Sequence, residues 1–194
     1  MLRRDALLTT LATLVLAACS KNDEAATAVP GAPAQPPANP QTLYAQASKG
    51  SGFTVGQLMA ADAVLVFFDP QCPHCAELWT AAQPLLPKIR MVWMPVGFLR
   101  GVSEVQGAAI LGAPDPAATM AAHEALLQSR QGGLSVSGAP PEENIAKVKA
   151  NTELMNRLGA DSVPFILYRN RQSGAYGTHS GALPTEQLAA LVGL

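Results

Sequence analysis

The chain has 194 residues, of which 13 are Lys or Arg and 14 are Asp or Glu, for a net charge of −1. That balance argues against a protein that tracks phosphate backbones or anionic membrane surfaces by charge. With 48% hydrophobic and 14% charged residues, global disorder is excluded, and three cysteines are too few for a multi-disulfide scaffold.

At the N-terminus, Arg3 and Arg4 precede an apolar run over residues 6–18. About 13 apolar residues are too few to span a bilayer permanently and suit a signal segment. The run ends in Leu16-Ala17-Ala18-Cys19-Ser20, which resembles the bacterial lipobox and implies lipidation of Cys19 after removal of a signal peptide, residues 1–18. Asp5-Ala6-Leu7 is a poor continuation for the twin-arginine route. Ser20 and Lys21 do not resemble the aspartate signal for inner-membrane retention, so the outer membrane is favoured. Residues 19–40 carry Pro30, Pro33, Pro36, Pro37 and Pro40 among small and polar residues, which predicts an extended tether. Residues 41–61 are expected to form a linker or short helix remnant, and residues 62–194 the folded domain. With signal and tether set aside, about 150 residues remain, enough to bury about two-thirds of the unfolded surface.

Val64-Leu65-Val66-Phe67-Phe68 is a continuous β-branched and aromatic run, the pattern of a strand buried on both faces. Asp69-Pro70-Gln71-Cys72-Pro73-His74-Cys75 follows at once. Trp79, Ala82, Leu86 and Ile89 then recur at helical spacing, with Pro84 expected to interrupt the helix. Residues 91–98 predict a second strand, and residues 103–111 and 116–130 predict helices. A long helix opens at Pro141-Glu142-Glu143 and stops at Gly159. Residues 165–168 and 175–179 predict a hairpin, and residues 184–192 a closing helix. Strands alternating with helices and ending in a hairpin give an α/β fold with a mixed central sheet.

Pro73 suits the first turn of a helix, which places Cys72 at the helix N-terminus. There the unpaired backbone N–H groups and the helix dipole favour thiolate over thiol. Cys75, three residues on, sits one turn inside and within reach. Cys72 is therefore the expected exposed nucleophile and Cys75 the buried resolving thiol, with His74 adding charge or a hydrogen bond to the thiolate. Zinc is the weaker reading, because His123 and His179 lack paired ligand spacing. Haem attachment fails because Ala76, not histidine, follows the second cysteine. A static disulfide fits the strand-loop-helix context less well. The chemistry calls for no cofactor and no metal.

The segment Phe68-Asp69-Pro70-Gln71-Cys72-Pro73-His74-Cys75, with Trp79 beyond it, resembles the active site of the DsbC/DsbG family of periplasmic thiol:disulfide interchange proteins, and DsbG-like members most. Val96-Gly97, Ala108-Ala109-Ile110-Leu111, Asp115-Pro116-Ala117, Asn151-Thr152-Glu153-Leu154-Met155, Leu158-Gly159-Ala160, Val163-Pro164 and Leu183-Pro184 extend the similarity over about residues 60–194. The resemblance implies a thioredoxin fold with a helical insertion between the active-site half and the cis-proline half. It also implies that Pro164 is cis and packs against the cysteine pair, with the Val163 backbone pairing with an extended substrate segment.

Three departures from the family pattern shape the expectations. About twenty residues separate Pro40 from the first expected strand, too few for the family's N-terminal dimerisation domain, so a monomer is expected. Pro73-His74 is the dipeptide of the oxidase DsbA, and Val163 resembles DsbA where DsbG-like proteins carry Thr. Six residues before Cys72, where thioredoxin and DsbA carry a buried acid, this chain has Val66, leaving no internal carboxylate evident for the Cys75 proton. The leading expectation is an exported oxidoreductase that reduces or isomerises protein disulfides or repairs sulfenic acids. Its partners would be cysteine-bearing proteins and a membrane reductant of the DsbD type; no nucleic acid is expected. The alternatives are a DsbA-like dithiol oxidase and a chaperone-type client-binding module with secondary redox activity. Trp79 is expected in the core.

Overall fold

The computed structural model describes residues 39–194; the expected signal segment, Cys19 and nearly all of the expected tether lie outside the described residues. Five strands form one sheet in the order β1-β3-β2-β4-β5: β1 Phe53–Gly56, β2 Ala63–Phe68, β3 Arg90–Pro95, β4 Phe165–Arg169 and β5 Tyr176–Ser180. β2 and β3 run parallel, and the other pairs are antiparallel. Among the described residues the six α-helices are α1 Pro40–Ala47, α2 Pro73–Ala82, α3 Gly101–Gly112, α4 Pro116–Gln128, α5 Glu142–Arg157 and α6 Thr185–Val192. Helices α3 to α5 fall between β3 and β4 and make up the expected insertion.

Every residue of β2 is buried, as an unbroken Val-Leu-Val-Phe-Phe run requires when both faces of a central strand are covered. Phe67 stacks on Phe165 of β4. Phe68 meets Trp93 edge-on with centroids 5.6 Å apart, and Trp79 of α2 meets Trp93 at 5.1 Å. Trp79 is thus a core residue, as expected. The apolar stack fixes α2 over the sheet, and with it the helix end that carries Cys72. α2 stops at Ala82, because Pro84 lacks the N–H that a further turn needs and its ring opposes the carbonyl four residues back. A 3-10 turn over Gln83–Leu85 replaces that turn.

The fold begins earlier than residue 62. Residues read from sequence as a linker include β1, whose buried-exposed alternation places Phe53 and Val55 in the core while it pairs with β3. Tyr44 of α1 donates its hydroxyl to the Ala63 carbonyl at 2.7 Å. Asn151 of α5, itself buried, accepts from Ser51 N–H at 2.9 Å and donates to the carbonyls of Ser51 and Pro95 at 2.7 and 3.0 Å. A four-residue strand carries little periodic signal on its own. What recruits it is the open edge of β3 and the asparagine clamp from a helix about 100 residues downstream.

Phe53, packed edge-to-face on Phe68, therefore contributes to the core beneath the active strand. Phe53→Ala is expected to lower stability by about 3 kcal/mol, read as a shifted urea midpoint with an unchanged slope.

Candidate active site

The chain leaves β2 at Phe68 and turns through Asp69-Pro70-Gln71, with Cys72 N–H donating to the Asp69 carbonyl at 3.0 Å. Cys72 caps α2 with extended backbone (φ −94°, ψ 113°), and Pro73 occupies the first turn. The Val163–Pro164 bond is cis. It brings the Val163 carbonyl to 3.5 Å from Cys72 Sγ, and the thiol donates to it. Cys72, Cys75, Pro73, Val163 and Pro164 thus share one site, while Cys19 lies outside the described residues. The expectation of an exposed nucleophile needs correction: Cys72 is only 4% exposed and Val163 8%, because the cis-proline loop lies over the sulfur.

Both cysteines are free thiols, and their proton affinities are driven apart. The Cys72 thiol is lowered from the ordinary 9.0 to about 7, chiefly by the hydrogen bond from the Cys75 thiol. Burial opposes this, and the backbone N–H groups of Cys75 and His74, then the His74 charge, assist it. Burial pushes the wholly buried Cys75 thiol well above 9.0, reinforced by the hydrogen bond it gives to Cys72 and by the Cys72 charge. His74 contributes less through its ring than expected. Its Nδ1 pairs with Glu77 Oε2 at 2.9 Å in solvent, and this partner raises its pKa.

Sequence reading missed the polar frame around the loop. Asp69 is completely buried, and its carboxylate accepts from Gln71 N–H (2.7 Å), Ser103 Oγ–H (2.7 Å), Phe98 N–H (2.8 Å) and Leu99 N–H (2.7 Å). Gln71 Nε2 donates to Gln106 Oε1 at 2.7 Å and to the Gly132 carbonyl at 2.8 Å. Gln106 in turn donates to the carbonyls of Gly132 and Leu134, both at 2.9 Å.

His123 of α4, assigned no role from sequence, is fully buried against the same loop. Its Nδ1 accepts from Leu134 N–H at 3.1 Å, so Nε2 carries the proton and donates to the Pro70 carbonyl at 2.6 Å. Burial lowers its pKa, which keeps the ring neutral. Gly133 (φ +78°) makes room for it: a Cβ there would lie 2.3 Å from His123 Cε1.

Beside His123, Glu124 is 1% exposed, and neither carboxylate oxygen has a hydrogen-bond partner. Burial, then the Cys72 charge, raise its pKa to about 8. The expectation of no evident internal carboxylate is therefore corrected to this extent: a buried acid lies on α4 of the insertion instead of on β2. A signal existed: Met120, His123, Glu124 and Leu127 share one face of α4 by helical spacing. Among the described residues, no three His, Cys, Asp or Glu side chains converge as a metal site.

No protein-family model matches the chain. In fold it is similar to the catalytic domain of Proteus mirabilis ScsC (TM-score 0.65, 18% identity, covering 80% of this chain and 97% of that one). It is also similar to a periplasmic thioredoxin-like protein from Salmonella enterica serovar Typhimurium (TM-score 0.61, 18% identity, covering 78% and 94%). A mixed sheet, a Cys-Pro-His-Cys segment opening a helix and a facing cis-proline define a thioredoxin-like protein. In sequence the chain is 33% identical over 144 residues to the thiol:disulfide interchange protein DsbG of Pseudomonas aeruginosa, covering 71% of this chain and 54% of that protein. It is 34% identical over 115 residues to DsbG of Escherichia coli K12, covering 57% and 44%. Over most of its own length the chain is similar to thiol:disulfide interchange proteins named DsbG, and it spans about half the length of those relatives.

A depressed Cys72 pKa stabilises the folded dithiol relative to an unfolded thiol. That stabilisation is full above about pH 9 and is lost as pH falls through about 7. Alkylation of Cys72 in the reduced protein, followed by mass spectrometry, should accelerate through an inflection near pH 7. Cys75→Ala should move that inflection up towards 9.0, because it removes the main hydrogen bond to the thiolate.

Proposed function

We propose that this protein is an exported thiol:disulfide oxidoreductase of the reductase or isomerase type, acting on cysteines of other proteins or on their sulfenic acids. The Cys72 thiolate attacks a substrate disulfide sulfur, forming a Cys72–substrate disulfide and expelling one substrate thiolate. Cys75, deprotonated, attacks Cys72 Sγ; the Cys72–Cys75 disulfide forms and the second substrate sulfur leaves with its electron pair. The substrate is reduced by two electrons and the protein oxidised by two. With a sulfenic acid, the first step expels hydroxide, taken up as water, and the second again releases a thiolate. Pro73 and His74 tune the thiolate, and Val163-Pro164 receives the substrate backbone.

The observation that carries the direction is a Cys72 pKa of about 7. That is near the value of about 7 for thioredoxin, a reductant, and far from about 3.5 for DsbA, a strong oxidant. A modestly stabilised thiolate leaves the dithiol willing to give up electrons. A second reading, DsbA-like oxidation, draws on the Pro73-His74 dipeptide. Export by residues 1–18, lipidation at Cys19, periplasmic placement at the outer membrane, a monomeric state, the tether at residues 19–40 and recharging by a DsbD-type membrane reductant belong to the same proposal. No cofactor or metal enters the reaction.

Cys75→Ala in cells should accumulate mixed disulfides on Cys72, visible as reductant-sensitive high-mass bands. A Cys72 that stays reactive yet traps nothing would refute the mechanism. Acid-quenched cells, alkylated with a mass tag, should show the pair mainly reduced in the wild type. A mainly oxidised pair would establish the oxidase reading instead.

A further inference from the structure

We propose that Glu124 is the internal proton acceptor for Cys75 when the mixed disulfide is resolved, a role that rests on the interchange reading above. Cys75 is wholly buried and holds its proton tightly, yet only its thiolate can attack Cys72 Sγ. A base inside the fold is therefore needed at neutral pH. β2 provides none, since Val66 stands fully buried in its middle. The Asp69 carboxylate is occupied by four donors. The proton on His123 Nε2 is committed to Pro70 and its Nδ1 lone pair to Leu134 N–H. His74 and Glu77 pair with each other in solvent.

Glu124 is the buried base whose lone pairs are all free. A carboxylate without donors is costly to bury, and a Met or Leu would fill the same space without that penalty. Asp69, equally buried, shows what a structural carboxylate looks like here: every oxygen is satisfied. Glu124 also stands in fixed register with the sulfurs, because its neighbour His123 locks α4 to the Pro70 carbonyl at 2.6 Å. Its charge acts on Cys75, and the Cys72 charge acts on it.

That coupling supplies timing. While Cys72 is a thiolate, its charge holds a proton on Glu124. Once Cys72 is tied in the mixed disulfide that charge is gone, the hold on the Glu124 proton loosens, and the proton passes to the expelled substrate thiolate or to bulk water. The carboxylate then takes the Cys75 proton; the Cys75 thiolate attacks Cys72 Sγ, the Cys72–substrate bond breaks, and the substrate thiolate carries off the electron pair. Glu124 keeps one proton, which it returns to Cys75 when the pair is next reduced. The titratable groups facing Glu124 are Cys72 and Cys75 from α2, with His123 on its own helix. On α3, Glu104 pairs with Lys149 at 3.7 Å, and β1 carries no titratable residue.

The reduced full-length chain, mixed with one equivalent of 5,5′-dithiobis(2-nitrobenzoate), releases one thionitrobenzoate when Cys72 attacks and a second when Cys75 resolves. In Glu124→Gln the ratio of second to first rate constant should fall about tenfold or more at pH 7, and the deficit should shrink as pH rises. Glu124→Asp should restore part of the ratio, which a purely structural role would not do. An unchanged ratio beside a normal first phase overturns the role of Glu124 alone; a missing first phase overturns the interchange reading and this role together. If Glu124→Gln does not fold, Glu124→Met takes its place. The wild type gives an independent answer: an internal base makes the second phase level off below about pH 9, whereas hydroxide alone makes it climb about tenfold per pH unit throughout, which would overturn the proposal.

Discussion

The buried carboxylate of Asp69 is the interaction on which the site depends. A fully buried charge is tolerated only with hydrogen-bond donors around it, and here they come from three places: the loop itself through Gln71, the segment after β3 through Phe98 and Leu99, and α3 through Ser103. One side chain thereby binds the end of β2, the end of β3 and the start of the insertion into a unit. Cys72 follows three residues later, its N–H held by the Asp69 carbonyl. The Gln71–Gln106 pair and the His123–Pro70 contact brace the same loop from α3 and α4. The insertion is therefore part of the active-site wall.

Within that frame the two sulfurs are set apart by their surroundings, and the His74 charge adds only a minor part. Cys72 stands at the helix end, where N–H groups and the Cys75 thiol favour its charge. Cys75 lies one turn deeper, where burial disfavours charge and donation to Cys72 ties up its proton. One thiol is made reactive by the same contact that makes the other inert. In the proposed interchange the gap lets attack and resolution occur in order. It also creates the need for an internal base, and the unpaired Glu124 carboxylate stands on the helix packed against α2.

The cis-proline loop has a comparable double effect. It covers Cys72 almost completely, and in the proposed interchange the substrate segment would lie along the Val163-Pro164 edge. Close cover also raises the cost of charging the sulfur, and the N–H groups of the first turn of α2 offset that cost. A thiolate near neutrality is the resultant.

Much of this was legible in the sequence. The β2 run, Pro73 after Cys72, the stop at Pro84, the helix ending at Gly159 and the closing hairpin are local signals, in which a residue's own backbone preferences or its periodic neighbours decide the outcome. The cysteine pair, too, carries its chemistry in its spacing and in its place at a helix start. What sequence left open depends on partners far apart in the chain. β1 is too short to announce itself and exists because the β3 edge and Asn151 receive it. The exposure of Cys72 was misjudged because its cover arrives from residue 163. Asp69 looked like a turn residue, His123 had no partner to name and Glu124 drew no reading, until tertiary packing gave the first four donors, the second a carbonyl, and the third no partner at all. Backbone preference acts over a few residues, whereas desolvation and hydrogen-bond pairing are properties of the assembled interior. The sequence by itself located the cysteine pair and the elements that carry it; only the folded chain decided how each proton is held.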